Sequence, residues 1–250
     1  MTENAVAPNR RIELDGCFNV RDIGGYRAAD GRTTVWRTVY RGGSPLAPST
    51  SDTDALRALK IRTLVDLRTT EETVLRSYVS LCEPQSTVHL PMTDLLPTEP
   101  ELKGWVDAEY VGDHYFEMLQ GATGAISSAL TILSDRDAYP VLMHCHAGKD
   151  RTGVLTAVLL GALGVDDDTI IADYALSALA MQSMVEYYKQ TNPDAIDWMD
   201  KYGPAVMAAE PAAMARFIGL VRDHYGSLTA CAGAIAGPDI VDNLRAALLS

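Results

Sequence analysis

The sequence of 250 residues has few cysteines, and the four that it has lie far apart. Cys17, Cys82, Cys145 and Cys231 form no C-x-x-C pair and have no histidine or cysteine neighbours at the spacing typical of zinc sites. So few cysteines in a chain of this length exclude a disulfide framework. We therefore expect reduced thiols, as in a cytoplasmic protein.

A long hydrophobic run is also missing. The longest apolar stretch, Val154 to Val165, is too short to span a bilayer, which takes about 20 residues. Residues 1–10 are polar, so they do not form a secretory signal, and we expect them to form a flexible arm. The sequence thus predicts a cytoplasmic protein without integral membrane contact, although export by a signal-less route stays open.

Positive charge is scarce. Lys and Arg total 21 against 33 Asp and Glu, which gives a formal net charge of -12. So acidic a chain is poorly suited to general binding of nucleic acid or of anionic membranes. Any phosphate site must therefore draw its positive field from a few local residues.

Short strands and helices alternate along the first two thirds of the chain. Strands are predicted at Val35–Tyr40, Arg62–Leu67, Thr87–Pro91 and Pro140–Cys145. Helices are predicted from Ser51, from Ala125 and over Arg151–Leu163, and the last stretch is apolar on nearly every side. This alternation indicates an α/β fold. The rest is predicted to be helical, with breaks near Asn192-Pro193, Gly203-Pro204 and Gly237-Pro238, and no linker divides the single domain predicted over residues 1–250.

The segment from His144 to Gly153 carries a Cys-x5-Arg pattern formed by Cys145 and Arg151. The pattern alone is weak, but here a buried strand ends at the cysteine, Gly148 lies in the middle of the loop, and a helix begins at the arginine. The residue six places after each of the other cysteines is not an arginine. A Walker phosphate loop is excluded because Asp150 follows Lys149.

A tight loop between a strand and a helix can turn successive amide N–H groups inward and bind an anion. The predicted phosphate-binding residues are His146, Ala147, Gly148, Lys149, Asp150 and Arg151. Arg151 can hold two phosphate oxygens, and the positive surroundings favour a thiolate at Cys145, which is placed for in-line attack on phosphorus. Thr152 is expected to donate a hydrogen bond to the sulfur. This chemistry requires no metal and no cofactor.

The segment His-Cys-x-Ala-Gly-Lys-Asp-Arg-Thr-Gly resembles the signature loop of bacterial protein tyrosine phosphatases similar to mycobacterial PtpB. Four further segments resemble motifs of that family in the same order: Phe18–Tyr26, Tyr40–Ser44, Val65–Arg68 with Glu71 or Glu72, and Ala172–Ser177. The resemblance implies the tyrosine-phosphatase fold, with a central, largely parallel sheet flanked by helices. It also implies a phosphorylated protein as substrate through phosphotyrosine, with phosphoserine, phosphothreonine or a phosphoinositide as further substrates.

Two aspartates are candidates for the general acid that protonates the leaving oxygen. Asp94 follows the third predicted strand, where the resemblance places the acid-bearing loop of phosphatases, and Asp150 lies in the signature loop itself. Lys149 is expected either to be solvated at the rim of the loop or to add positive potential for substrates with several phosphates. His146 is expected to face solvent, and the resemblance implies that His144 supports the loop.

The remaining polar motif residues are at least as well explained by structural ion pairs as by substrate contact; they are Arg21, Asp22, Arg41, Asp66 and Arg68. Tyr174, Met181, Met184, Tyr187 and Tyr188 fit helix packing, with a lid over the pocket as the alternative. Two other functions remain as rivals: a sulfurtransferase of rhodanese type and a phosphate-binding module without turnover.

Overall fold

The structure is a computed structural model that describes residues 9–73, 78–92, 104–192 and 196–250. Its sheet has the strand order β1-β2-β5-β3-β4. The strands are β1 Arg21–Asp22, β2 Val39–Gly42, β3 Thr63–Asp66, β4 Ser86–His89 and β5 Val141–His144. Strand β1 is antiparallel to β2, and the other neighbours are parallel. The predicted α/β class with a largely parallel sheet is confirmed.

Helices lie between and after the strands. Before β5 come α1 Thr50–Ala58, α2 Thr70–Thr73, α3 Val79–Cys82, α4 Ala108–Gly121 and α5 Thr123–Leu133. After β5 come α6 Asp150–Ala162, α7 Asp167–Ala175, α8 Ser177–Thr191, α9 Ile196–Val206, α10 Pro211–Tyr225, α11 Leu228–Ala236 and α12 Pro238–Leu248. The helical character predicted for the last third of the chain is therefore present.

Strand β5 and helix α6 form the centre of the molecule. All four residues of β5 are buried, and α6 is buried from Thr152 to Ala162. Helices α4, α7, α11 and α12 contact α6, which explains why the sequence of α6 is apolar on nearly every side. The loop that joins β5 to α6 is consequently anchored at both ends in the core.

Local sequence signals set several helix ends. The Ser49 side chain accepts a hydrogen bond from the N–H of Asp52. The Asp52 carboxylate accepts one from the N–H of Ser49 in return, which completes a capping box at the start of α1. Asp166 caps α7 in the same manner. Gly164, just after α6, has a φ of +81°, a left-handed conformation that glycine adopts readily after the end of a helix.

Two local predictions were wrong. The strand predicted from Val35 begins only at Val39, because Arg37 has a left-handed φ of +60° and donates its N–H to the Asp22 carboxylate at 2.7 Å. The break predicted at Gly203-Pro204 is absent: Pro204 lies inside α9, which ends two residues later, so the proline disturbs only the last turn.

The predicted arm is anchored at its last residue. Arg10 donates to the carbonyl oxygens of Asp22 and Gly24 and lies 4.0 Å from the ring centroid of Tyr26. In the described part of the chain, no single helix is long and apolar enough to cross a membrane, and α9 with α10 would reach that length only as a pair bent by 52°.

Candidate active site

The Cys145 loop lies at the edge of the sheet where the parallel strands end. In the register of the sheet, His144 at the end of β5 is opposite Gly42 of β2 on one side and Asp66 of β3 on the other. Residues that follow β2 and β3 therefore surround the loop, as expected for the carboxyl edge of a parallel sheet.

Each of the first four carbonyl groups of the loop accepts a hydrogen bond from outside it. The acceptors and donors are Cys145 O from Ser44 Oγ (3.1 Å), His146 O from Ser44 N (2.7 Å), Ala147 O from Asn19 Nδ2 (3.1 Å), and Gly148 O from Asn19 Nδ2 (3.0 Å) and Arg41 Nη2 (2.8 Å). In a trans peptide the C=O and the next N–H point in opposite directions. Holding these carbonyls outward therefore turns the amides of residues 146–149 toward the concave side of the loop, an arrangement that suits an anion.

Glycine is required in this loop. Gly148 has a φ of +68°, and a Cβ there would lie 2.3 Å from the carbonyl carbon of Gly42. A Cβ at Gly43 would lie 2.9 Å from the carbonyl carbon of Ala147. Both the left-handed backbone and the close approach of the loop to β2 therefore depend on missing side chains.

Arg151 is held by a carboxylate from α2. Its Nη1 bonds Glu72 Oε2, and its Nη2 lies 2.9 Å from Glu72 Oε1. Burial opposes the charge, but the hydrogen bonds to Glu72 and the attraction of Cys145 raise the pKa of Arg151 above its ordinary value. The guanidinium is thus charged, close to Cys145 and fixed in orientation, with further N–H groups available to an anion.

Cys145 and Thr152 are both buried beneath the loop. Cys145 is 1% exposed. The Thr152 hydroxyl is buried and has no hydrogen-bond partner among the residues that the structure describes. The expected bond from Thr152 to the sulfur is therefore not formed here, and its catalytic role stays a prediction.

His144 and the polar residues after β3 support the loop from below. Asp66 and Arg68 form a buried ion pair with a closest contact of 2.6 Å, which confirms the structural interpretation. His144 Nε2 lies 3.6 Å from Asp66 Oδ2, and its ring packs edge-on against Tyr78. Burial lowers the pKa of His144 to about 4, despite the attraction of Asp66. The imidazole is accordingly neutral at pH 7.

A second buried network ties the N-terminal motif to α7. Asp173 accepts from Arg21 Nε at 3.1 Å, from Arg41 Nη1 at 2.6 Å and from the Tyr26 hydroxyl at 2.7 Å. Arg21 also bonds the Asn19 side chain, which in turn bonds the loop. The structural interpretation of Arg21 and Arg41 is confirmed, and it extends to Asp22, whose carboxylate accepts from backbone N–H groups.

Sequence reasoning missed Asn19 and Asp173 as residues that shape the site. Both stand inside segments that resemble family motifs, Phe18–Tyr26 and Ala172–Ser177. Their position inside these motifs was the signal in the sequence that could have identified Asn19 and Asp173. The sequence could not indicate the contacts themselves, because they join residues more than a hundred positions apart.

Lys149 is not solvated at the rim, so that interpretation was wrong. Its side chain is buried, and its ammonium donates to the carbonyl oxygens of Val206 and of Ala208, the latter at 2.8 Å. It also lies 3.4 Å from Asp150 Oδ1 and 5.0 Å from the ring centroid of Trp105. Asp150 itself is partly exposed at the start of α6.

Helix α8 covers the opposite side of the loop. His146 Nε2 lies 2.9 Å from the Tyr188 hydroxyl, so the expectation that His146 faces solvent was wrong. Ala147 packs against a cluster that contains Leu46, Met181 and Met184. Helix α8 therefore packs against two residues of the loop, His146 and Ala147. Asp94, the other candidate acid, lies outside the described residues.

Comparison with known proteins gives relatives of one kind. The model of the tyrosine phosphatase family matches residues 12–250. A Cupriavidus necator protein named as a tyrosine-protein phosphatase is 31% identical over 173 residues, which are 65% of this chain and 61% of that protein. The triple specificity protein phosphatase PtpB of Mycobacterium tuberculosis is 30% identical over 195 residues, 66% of this chain and 68% of that protein.

The match therefore spans less than two thirds of the Cupriavidus protein. Among solved structures, the core catalytic domain of the PP-IP phosphatase SIW14 from S. cerevisiae, in complex with citrate, is 18% identical with a TM-score of 0.37. That comparison covers 67% of this chain and 90% of the SIW14 chain.

Proposed function

Because the chain belongs to the tyrosine phosphatase family, we propose that it hydrolyses phosphotyrosine in proteins through a phosphocysteine at Cys145. One observation carries the proposal: Ser44, Asn19 and Arg41 hold the loop carbonyls outward, so that the amides surround the space above the sulfur. The two bonds to Glu72 fix the guanidinium of Arg151 and leave further N–H groups that we propose bind the phosphate.

The reaction has two displacements at phosphorus. In the first, the Cys145 thiolate forms a sulfur–phosphorus bond as the bond between phosphorus and the tyrosine oxygen breaks, and the general acid gives that oxygen a proton. In the second, water attacks phosphorus and the Cys145 thiolate leaves. The general acid, now a carboxylate after the first step, takes a proton from the attacking water. The loop amides and Arg151 stabilise the charge on the equatorial oxygens in both steps.

We propose Asp150 as the general acid. It stands one residue before Arg151 at the start of α6, and its carboxylate is partly exposed, whereas Cys145 is buried. Asp94 remains the rival, and the two are separated by leaving-group dependence. Asp150→Asn should lower kcat/KM for phenyl phosphate far more than for 4-nitrophenyl phosphate, whereas Asp94→Asn should not; the reverse result would assign the role to Asp94.

The substrate class is tested with a panel of phosphopeptides and phosphoinositides. We expect phosphotyrosine peptides to be hydrolysed fastest, with vanadate as a competitive inhibitor. Faster release from phosphoinositides would favour the alternative lipid substrate.

The phosphocysteine is tested by replacing the nucleophile. Cys145→Ser should bind phosphotyrosine peptide but release no phosphate, because a hydroxyl is a poor nucleophile at neutral pH. Cys231→Ala is the matched control, since Cys231 is buried in the core and burial raises the pKa of its thiol to about 12. Binding without turnover by the unaltered protein would instead identify a phosphate-recognition module.

A further inference from the structure

Asp150 is joined to two buried tyrosines from other helices. Tyr115 of α4 donates its hydroxyl to Asp150 Oδ1 at 2.5 Å, and the hydroxyl oxygens of Tyr115 and Tyr174 are 2.8 Å apart. Because the single proton of Tyr115 goes to the carboxylate, the hydroxyl of Tyr174, on α7, must donate to Tyr115. The result is a fixed chain of donors that runs from Tyr174 through Tyr115 to Asp150.

This row of hydrogen bonds from Tyr174 to Asp150 is rigid because both tyrosines are buried. Tyr115 and Tyr174 are 0% and 1% exposed, and their rings pack edge-on with centroids 6.0 Å apart. Phe217 packs against the other side of Tyr115. The hydroxyl of Tyr115 therefore has one direction available, and that direction is the Asp150 carboxylate.

The Tyr115 hydroxyl and the Lys149 ammonium both approach the same carboxylate oxygen of Asp150. Lys149 Nζ lies 3.4 Å from Oδ1, the oxygen that already accepts from Tyr115. Within the described residues, Oδ2 receives no hydrogen bond. An oxygen that faces a hydroxyl proton and an ammonium is a poor place for an acid proton, so the proton of a neutral Asp150 belongs on Oδ2.

We propose that Tyr115, held by Tyr174, is a positioning residue that directs the protonated Oδ2 of Asp150 toward the leaving oxygen of the substrate. The inference rests on the proposed function and on Asp150 as its acid. The two buried hydroxyls share one hydrogen bond, which leaves one proton that needs an acceptor outside the pair. Tyr115 gives that proton to the carboxylate of Asp150, at the start of α6, and not to a backbone carbonyl.

The test compares two substrates that differ in their need for a proton. 4-Nitrophenolate leaves readily without protonation, whereas phenolate does not. Tyr115→Phe should therefore lower kcat/KM for phenyl phosphate about tenfold more than for 4-nitrophenyl phosphate, a fraction of the effect of a complete general acid. Tyr139→Phe is the matched control, because its hydroxyl bonds the Leu133 carbonyl and Tyr139 precedes β5, whereas the loop follows the other end of that strand.

A double-mutant cycle shows whether Tyr115 acts through Asp150. In an Asp150→Asn background, Tyr115→Phe should produce no further difference between the two substrates. Tyr174→Phe, which keeps the Tyr115–Asp150 bond but frees the Tyr115 rotor, should shift the substrate ratio in the same direction by a smaller factor. It also keeps the inference testable if Tyr115→Phe does not fold.

Two outcomes separate this inference from the function on which it rests. If the unaltered protein releases phosphate and the tyrosine variants lower kcat/KM equally for both substrates, the positioning role is overturned and the phosphatase remains. If the unaltered protein releases no phosphate from either substrate, the proposed function itself fails.

Discussion

At the residue scale, Arg151, the phosphate-binding group that we propose, is oriented before any ligand arrives. A flexible arginine would lose side-chain entropy on binding, at a cost of about 2 kcal/mol. Here the fork of Glu72 already fixes the guanidinium by two parallel hydrogen bonds. Burial opposes the charge of Glu72, but the bonds from Arg151 keep the pKa of that carboxyl below its usual value.

Removing this carboxylate should weaken both binding and folding. Glu72→Ala leaves Arg151 without its partner in a mostly buried position, so we expect kcat/KM to fall about tenfold or more and the free energy of unfolding to fall by about 3 kcal/mol. Phosphatase kinetics and urea unfolding measure the two effects. The neighbouring exposed Glu71→Ala is the control, and equal losses for both variants would contradict the assigned role.

The sequence indicated some side-chain roles of the site better than others. The pairing of Cys145 with Arg151 could be predicted because strand, loop and helix are local signals. The burial of Lys149 could not, because its partners are backbone carbonyls of Val206 and Ala208, almost sixty residues away. Nothing in the composition of a loop specifies which distant carbonyls a lysine reaches.

At the scale of elements, the loop between β5 and α6 is shaped by its close approach to β2. Gly148 combines a left-handed backbone with a position too near Gly42 for any side chain. Helix α10 offers a contrast, since Gly219 lies within it and a Cβ there would meet no atom within 4 Å. The same substitution at the two glycines should therefore have opposite effects.

Gly148→Ala should abolish turnover and lower stability, because the backbone must shift to relieve the contact with β2 and the amides then lose their alignment. Gly219→Ala should leave turnover unchanged and raise the free energy of unfolding by about 0.5–1 kcal/mol, since alanine favours helix. Thermal unfolding and vanadate binding report both changes. An active Gly148→Ala variant would refute this account of the loop.

Elements with strong local signals were predicted well, and those set by distant contacts were not. Helix α1, strand β5 and helix α6 follow from nearby residues. Strand β2 starts late because the N–H of Arg37 bonds Asp22, a contact that a strand pattern does not reveal. The two-residue strand β1 is too short to show alternation at all.

At the scale of the whole molecule, three arginines of this acidic chain lie around the loop that follows β5. Arg21, Arg41 and Arg151 are each paired with a buried carboxylate, Asp173 or Glu72. Burial opposes ionisation of Asp173, but its two arginines lower the pKa of this carboxyl well below its usual range. Such carboxylates stabilise the fold above their unfolded pKa, near 4, and lose that contribution as the pH falls further.

His144 should make the protein acid-sensitive before those carboxylates are protonated. Burial lowers its pKa from 6.5 to about 4. Between these values the unfolded chain binds a proton at His144 that the folded chain does not, so the free energy of unfolding falls as the pH is lowered through this window. The full change is about 3 kcal/mol.

Urea unfolding at a series of pH values measures this slope. His144→Gln should flatten the curve between pH 6.5 and 4 whatever its effect on absolute stability, because the slope depends only on protons bound. His224→Gln, at an exposed position on α10, should keep the slope of the unaltered protein. Below pH 4 all three curves should fall together, because Asp66, Glu72 and Asp173 are present in each. A His144→Gln curve as steep as that of the unaltered protein would show that the imidazole beneath the loop is not held neutral, and that the acid sensitivity arises elsewhere.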